Sequence, residues 1–292
     1  MAMRPYLIVD VFTANPLEGN PLAVFTAADG LDGLWMQRIA REMNLSETVF
    51  VLEPEQGGDA RIRIFTPTVE LPFAGHPTLG AAYVVCAQRG LDVVELETGA
   101  GVITVEFAGQ DGLAPLDQPG LVHLPGLPGR MRQPVPAWEP YERAAELLDA
   151  LGVESSRLPV EAYQNGPRHV YVALDSEEAV HLLRPDLGAL GALPGIGVSC
   201  FAGAGVRWKT RCFVPALGVG EDPATGSAAG PLAVHLARHD QIAFGQQIEI
   251  RQGAEIGRPS VLLARVEAVG GQVTGVEVGG AAVIVARGEL LA

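Results

Sequence analysis

The chain has 292 residues, enough for one large domain or two of ordinary size, and 48% of them are apolar, ample for a packed core. Its formal charge of −14, from 20 basic and 34 acidic residues, excludes a non-specific binder of nucleic-acid backbones, which needs a basic surface. No apolar run reaches membrane-spanning length, and the N-terminus passes into Tyr6-Leu7-Ile8-Val9 without the long apolar stretch of a signal peptide, so a cytoplasmic protein with no membrane partner is expected.

In chain order, the pattern predicts a strand at 5–11, a Gly19-Asn20-Pro21 turn and a strand at 22–25. A helix follows at 31–43, with Leu31, Trp35, Ile39 and Met43 at helical spacing. Strands are predicted at 47–52 and 60–66. The segment from Thr78 to Gln88 opens behind Pro77 and stops at Gly90. It is apolar on almost every face, so it should be a helix enclosed by sheet. Strands at 92–97 and 101–107 flank a hairpin signal at Gly99-Ala100-Gly101. A Pro/Gly-rich stretch from Gly109 to Pro136 contains one short strand at Leu121–Leu124, and 125–137 is the candidate linker. Beyond it come a helix at 138–151, with Tyr141, Ala144, Leu148 and Leu151 on its apolar face, and strands near 168–174, 196–201 and 207–214. A second small-residue helix is predicted at 227–238, with Pro231 just past its first turn. Four short strands fill 246–287.

One pattern occurs twice. Arg63-Ile64-Phe65-Thr66-Pro67 leads to Glu70-Leu71-Pro72-Phe73-Ala74-Gly75-His76, and Arg211-Cys212-Phe213-Val214-Pro215 leads to Glu221-Asp222-Pro223-Ala224-Thr225-Gly226-Ser227. Each copy ends at the start of one of the two small-residue helices. Two occurrences suggest two related lobes rather than a solenoid, which needs at least three repeats. The fold class expected is α+β: two pseudo-symmetric lobes, about 1–127 and 130–278, each of mainly antiparallel strands wrapped around a central helix. Two helix N-termini facing each other would offer unpaired N–H groups and positive dipole ends to an anion.

Few residues carry chemistry. Glu47 stands at the start of a strand that otherwise reads as buried, either at an exposed strand end or in a cleft suited to acid/base work. His76 lies beside an N-cap position, where a helix N-terminus disfavours the imidazolium and holds a neutral ring. Asp222 precedes a proline and reads first as an Asx turn, with orienting a partner as the alternative. Ser227 reads as an N-cap that faces an anion. His235 and His239 are four apart but lack the glutamate of H-E-x-x-H, and His123, His169 and His181 show no ligand spacing, so no metal is expected. Cys86, Cys200 and Cys212 form no C-x-x-C pair and read as small buried residues. The single lysine, Lys209, reads as a charge partner on a sheet. Gly99-Ala100-Gly101 precedes a strand rather than a helix, so it is no dinucleotide fingerprint, and no P-loop is present.

Together, Val9-Asp10-Val11-Phe12-Thr13, Gly19-Asn20-Pro21-Leu22-Ala23-Val24, Asn44-Leu45-Ser46-Glu47-Thr48, both copies of the repeat, Gln252-Gly253 and Gly257-Arg258-Pro259-Ser260 resemble the PhzF-like isomerases of phenazine biosynthesis, within the diaminopimelate-epimerase fold. The resemblance implies a cofactor-independent isomerase of a small carboxylate-bearing metabolite. It implies that Glu47 moves the proton, with His76 and Asp222 as accessory polar groups. Asn20, Ser46, Gly75, Thr225, Gly226 and Ser227 would bind substrate in a cleft between the lobes. It also implies a homodimer, and a C-terminal strand, from about 279, that returns to the first lobe. Racemases of this fold place cysteines where Ala74 and Thr225 stand here, so two-thiol racemisation is disfavoured. An epimerase of a small amino or hydroxy acid is the alternative within enzymes. A non-catalytic small-acid binder is the alternative outside them.

Overall fold

The computed structural model describes residues 3–107 and 128–291. The strand expected at Leu121–Leu124 and His123 lie outside these residues. The chain forms two compact units, Met1–Arg132 with Gly279–Ala292, and Gln133–Val278.

The first unit runs β1 (Met3–Val11), β2 (Asn20–Phe25), α1 (Gly33–Met43), β3 (Glu47–Leu52), β4 (Ala60–Phe65), β5 (Glu70–Leu71), α2 (Gly75–Arg89), β6 (Val93–Thr98), β7 (Gly101–Phe107) and β8 (Gly129–Gln133). The C-terminal strand, Ala282–Leu291, pairs antiparallel with β1. From β1 the sheet continues antiparallel to β2, parallel to β3, antiparallel to β4, parallel to β6, then antiparallel to β7 and β8. Helix α2 packs against β1, β2, β3, β4, β6 and β7, and its residues from Gly75 to Ala87 are all buried. That enclosure explains its composition. At Gly80 a Cβ would lie 2.7 Å from Leu22 Cδ2 and 2.8 Å from Val11 Cγ2, so only a glycine lets the helix sit this close to β1 and β2. Gly90, at φ 66°, ends the helix in the left-handed conformation that glycine adopts without a Cβ penalty. The other face of the sheet packs on α1 through Phe25, Phe50 and Phe65, with Phe25 and Phe50 stacked at 5.2 Å.

The second unit runs β9 (Ala137–Pro140), α3 (Ala144–Leu151), β10 (Glu161–Gln164), β11 (Arg168–Ala173), α4 (Glu177–Leu182), α5 (Leu187–Gly191), β12 (Gly197–Ala204), β13 (Arg207–Val214), β14 (Val219–Asp222), α6 (Gly226–Arg238), β15 (Gln247–Gln252), β16 (Ser260–Val269) and β17 (Gln272–Gly280); the C-terminal strand is β18. Its sheet repeats the first unit's sense order: β10 antiparallel to β11, parallel to β12, antiparallel to β13, parallel to β15, antiparallel to β16. Helix α6 is buried from Gly226 to Ala237 and continues past Pro231. A second core gathers Leu147, Leu151, Val170, Val172, Leu190 and Phe213 under α3, α4 and α5.

The α+β class with mainly antiparallel strands is as the sequence predicts. Three local expectations are corrected. The linker placed at 125–137 contains β8 and the start of β9, because Met131 and Gln133 alternate inward at a strand's period despite the flanking prolines. The helix expected from 138 begins at Ala144, since Trp138 and Glu139 pair with Tyr163 and Ala162 in the sheet. In α1, Met36, Ile39 and Ala40 make the buried face, while Trp35 is largely exposed.

Candidate active site

In the first unit the polar residues converge on the start of α2. Asn44, in the left-handed region at φ 51°, ends α1 three residues before Glu47, which opens β3. Because β2 and β3 run parallel with Leu22 opposite Glu47, Asn20 lies near the same end of the sheet. The loop before it is tied down by Asp10, which accepts from Leu17 N–H at 2.7 Å. His76 is the second residue of α2, and its N-cap, Ala74, offers no side chain to the helix's free N–H groups. His76 Nδ1 lies 3.2 Å from Asn20 Nδ2, and its Nε2 lies 3.4 Å from Glu47 Oε2. Burial lowers the His76 pKa to about 3, so the ring is neutral. An amide N–H₂ can only donate, so Nδ1 accepts and the ring proton sits on Nε2, whose contact with Glu47 Oε2 is too poorly aligned to be a hydrogen bond. Ser46 directly precedes Glu47 and is half-buried.

In the second unit α6 starts the same way. Thr225 is its N-cap and no side chain caps it; Ser227 is the second helical residue, which corrects the N-cap expectation. The reason lies before the helix. Thr225 Oγ1 donates to Asp222 Oδ2 at 2.6 Å, while Gln252 Nε2 donates to Thr225 Oγ1 at 2.9 Å and to the Asp222 carbonyl at 2.8 Å. Gln252 Oε1 in turn accepts from Thr225 N–H and from Thr210 Oγ1. Thr225 is thus held in the turn, and the helix begins after it. Gln133 Nε2 donates to the Gly226 carbonyl at 2.9 Å. In both units a glycine and a polar residue therefore begin a buried helix whose N-terminus no side chain caps.

The repeated arginine and glutamate are a structural clip rather than site residues. Arg63 makes two 2.7 Å bonds to Glu70 and lies 5.1 Å over Phe65; Arg211 bonds Glu221 at 2.9 and 2.7 Å and lies 5.0 Å over Phe213. Each clip closes the loop that precedes its helix. Lys209 pairs with Glu255 at 2.6 Å, as expected of a charge partner. All three cysteines are buried and unbridged.

His235 and His239 meet a residue the sequence did not connect with them, Glu161, whose Oε2 lies 3.2 Å from His235 Nδ1 and 3.0 Å from His239 Nε2. Arg238 Nη1 donates to the same oxygen at 2.8 Å, and Tyr163 OH donates to it at 2.9 Å. The set has the reach of metal ligands, but the guanidinium already supplies the cation the carboxylate needs. Glu161 precedes them by more than seventy residues, so no local spacing pointed to it. His169, in contact with Ser227, was missed for the same reason.

Comparison with known proteins identifies the family. The model of the phenazine biosynthesis-like protein family matches residues 9–288. The chain is 54% identical over 287 residues to the trans-2,3-dihydro-3-hydroxyanthranilate isomerase of Pseudomonas aeruginosa, covering 98% of this chain and 99% of that protein. It superposes on the crystal structure of a PhzF-family phenazine biosynthesis protein of Bacillus anthracis with a TM-score of 0.83 at 26% identity, over all of both chains. A probable proline racemase from Agrobacterium radiobacter, 13% identical with a TM-score of 0.63, shares the fold alone. The chain belongs to the phenazine biosynthesis-like protein family. Within it, this chain is an isomerase.

Proposed function

We propose that the chain isomerises a small cyclic carboxylate of the trans-2,3-dihydro-3-hydroxyanthranilate type, without a cofactor, by moving one proton between two carbons. The observation that carries this reading is the convergence of Asn20, His76 and Glu47 at an uncapped helix start, with a buried, neutral imidazole 3.4 Å from the carboxylate. In such a substrate the C–H at the hydroxyl-bearing carbon is conjugated, through the ring's double bonds, with the carboxyl-bearing carbon. Glu47 takes that proton, charge spreads over the conjugated system, and Glu47 returns the proton at another ring carbon. One C–H bond breaks and one forms, so no redox partner is needed.

His76 lies beside the Glu47 carboxylate with its ring neutral, and Asp222 is an accessory polar group. In the first unit Gly75 offers N–H groups to an anion, with Asn20 and Ser46 near Glu47; in the second, Thr225, Gly226 and Ser227 offer N–H groups and hydroxyls to an anion. Fixed donors of this kind need no rearrangement as charge develops. The enzyme acts in the cytoplasm as a homodimer; light scattering that gives the 30.7 kDa monomer at working concentration overturns the dimer.

The test is incubation with trans-2,3-dihydro-3-hydroxyanthranilate in D2O, with the product structure read by NMR. The proposal expects a constitutional isomer, with or without deuterium at the new C–H. An inverted stereocentre with unchanged constitution makes the protein an epimerase, and binding without any product makes it a binder.

A further inference from the structure

His169, on β11, is 2% exposed, and its Nε2 lies 3.1 Å from Ser227 Oγ in the first turn of α6. Its Nδ1 is buried and makes no hydrogen bond among the described residues. Burial lowers the ring's pKa to about 4, so it is neutral and holds one proton. A buried N–H with no acceptor is a worse orphan than a bare lone pair. The proton therefore sits on Nε2 and is donated to Ser227 Oγ.

The sheet leaves room for this ring at one place. His169 faces Gly197 across the parallel pair of β11 and β12, and a Cβ at 197 would lie 2.6 Å from His169 Nδ1 and 3.0 Å from Val214 Cγ1. In the first unit the same register position, one residue before the partner of the repeated phenylalanine, is Glu47. The second unit has no side chain where the first has its acid, and the imidazole uses the vacated space.

We propose that His169 is a positioning residue for the substrate carboxylate: its Nε2–H is donated to Ser227 Oγ, which turns the Ser227 hydroxyl proton outward as a donor to that carboxylate. This rests on the reading of Ser227 as a carboxylate contact. A serine that must both choose a rotor and bind an anion loses rotational freedom on binding; one whose oxygen is already occupied by a donor loses less.

The test compares His169→Leu, which removes the donor, with His169→Gln, whose amide N–H₂ reaches the place of Nε2. KM and kcat are measured for trans-2,3-dihydro-3-hydroxyanthranilate, alone and combined with Ser227→Ala, and the imidazole 15N spectrum of the wild type is assigned by comparison with His169→Gln. In the wild type, Nε2 should show as the protonated nitrogen and Nδ1 as the bare one. His169→Leu should raise KM roughly tenfold, the scale of one hydrogen bond, with a smaller change in kcat. His169→Gln should restore most of the loss, and adding His169→Leu to Ser227→Ala should add nothing. A protonated Nδ1, or an unchanged KM in His169→Leu beside a raised KM in Ser227→Ala, overturns the proposal. An unchanged KM in Ser227→Ala overturns the carboxylate reading instead. If the leucine variant does not fold, or the wild type does not turn this compound over, the 15N spectrum still decides where the proton lies.

Discussion

At the residue scale, the chemistry depends on where single protons sit. Asn20 presents an N–H₂ to His76 Nδ1, which leaves the ring proton on Nε2, 3.4 Å from Glu47 Oε2. Asn20→Asp reverses this logic, because a carboxylate there accepts from Nδ1–H and leaves a bare Nε2 facing a second carboxylate. We expect the His76 15N pattern to swap between its nitrogens and turnover to fall roughly tenfold to a hundredfold, the range for one misdirected hydrogen bond to a charged group. An unchanged 15N pattern would show that Asn20 does not set the tautomer. Glu47, His76 and Asp222 stand at punctuated element boundaries, after Asn44, after Gly75 and before Pro223, and only the family resemblance proposed roles for them. The contacts of Gln252 with Thr225, His169 with Ser227 and Glu161 with His239 were not legible, because these partners are 27, 58 and 78 residues away in the chain.

At the element scale, the two copies of the repeat make the same clip in different surroundings. The Arg63–Glu70 side chains are 29% and 42% exposed, whereas those of Arg211 and Glu221 are 7% and 11% exposed. Arg211 also donates to the carbonyl of Leu183 at 2.8 Å and to those of Val180 and His181. Arg63→Met should therefore cost about 0–1 kcal/mol, as exposed pairs do. Arg211→Met strands a buried carboxylate and should cost about 3–5 kcal/mol. Urea denaturation of the two variants checks this, and equal losses would contradict it. Both central helices were legible because an apolar stretch without a polar face has to be enclosed. The short elements β5, α4 and α5 were not, since two to six residues carry too little periodicity. Nor was β9, where exposed Trp138 reads equally well as helix or strand.

At the scale of the whole molecule, three buried neutral histidines link stability to pH. Desolvation lowers His76 to about 3 and His169 and His235 to about 4, against 6.5 in an unfolded chain. Below pH 6.5 the unfolded state takes up protons that the folded state refuses, so their contribution is complete above pH 6.5 and is lost as pH falls towards 4. Each such proton weakens folding by about 1.4 kcal/mol per pH unit. Glu161, which is buried yet held at about 2 by hydrogen bonds from Arg238, His239 and Tyr163, extends the loss below its ordinary value of 4.5. Urea midpoints should fall steeply between pH 6.5 and 4 and be nearly flat from 7 to 8, and His169→Gln should shallow the slope. A flat profile down to pH 4 would contradict the buried neutral rings. The two-unit duplication was legible from the repeat, whereas the parallel steps at β2–β3, β4–β6, β11–β12 and β13–β15 were not, because strand sense leaves no mark in local periodicity. The central claim is that one carboxylate, Glu47, carries the proton. It is tested most directly by the turnover of trans-2,3-dihydro-3-hydroxyanthranilate by Glu47→Gln, which keeps the side chain's shape but cannot accept the proton. Beside wild type, this variant should fold, bind the compound and lose roughly a hundredfold or more in kcat, with His76→Ala losing less. Turnover by Glu47→Gln close to wild type would contradict the account and move the base to His76 or Asp222.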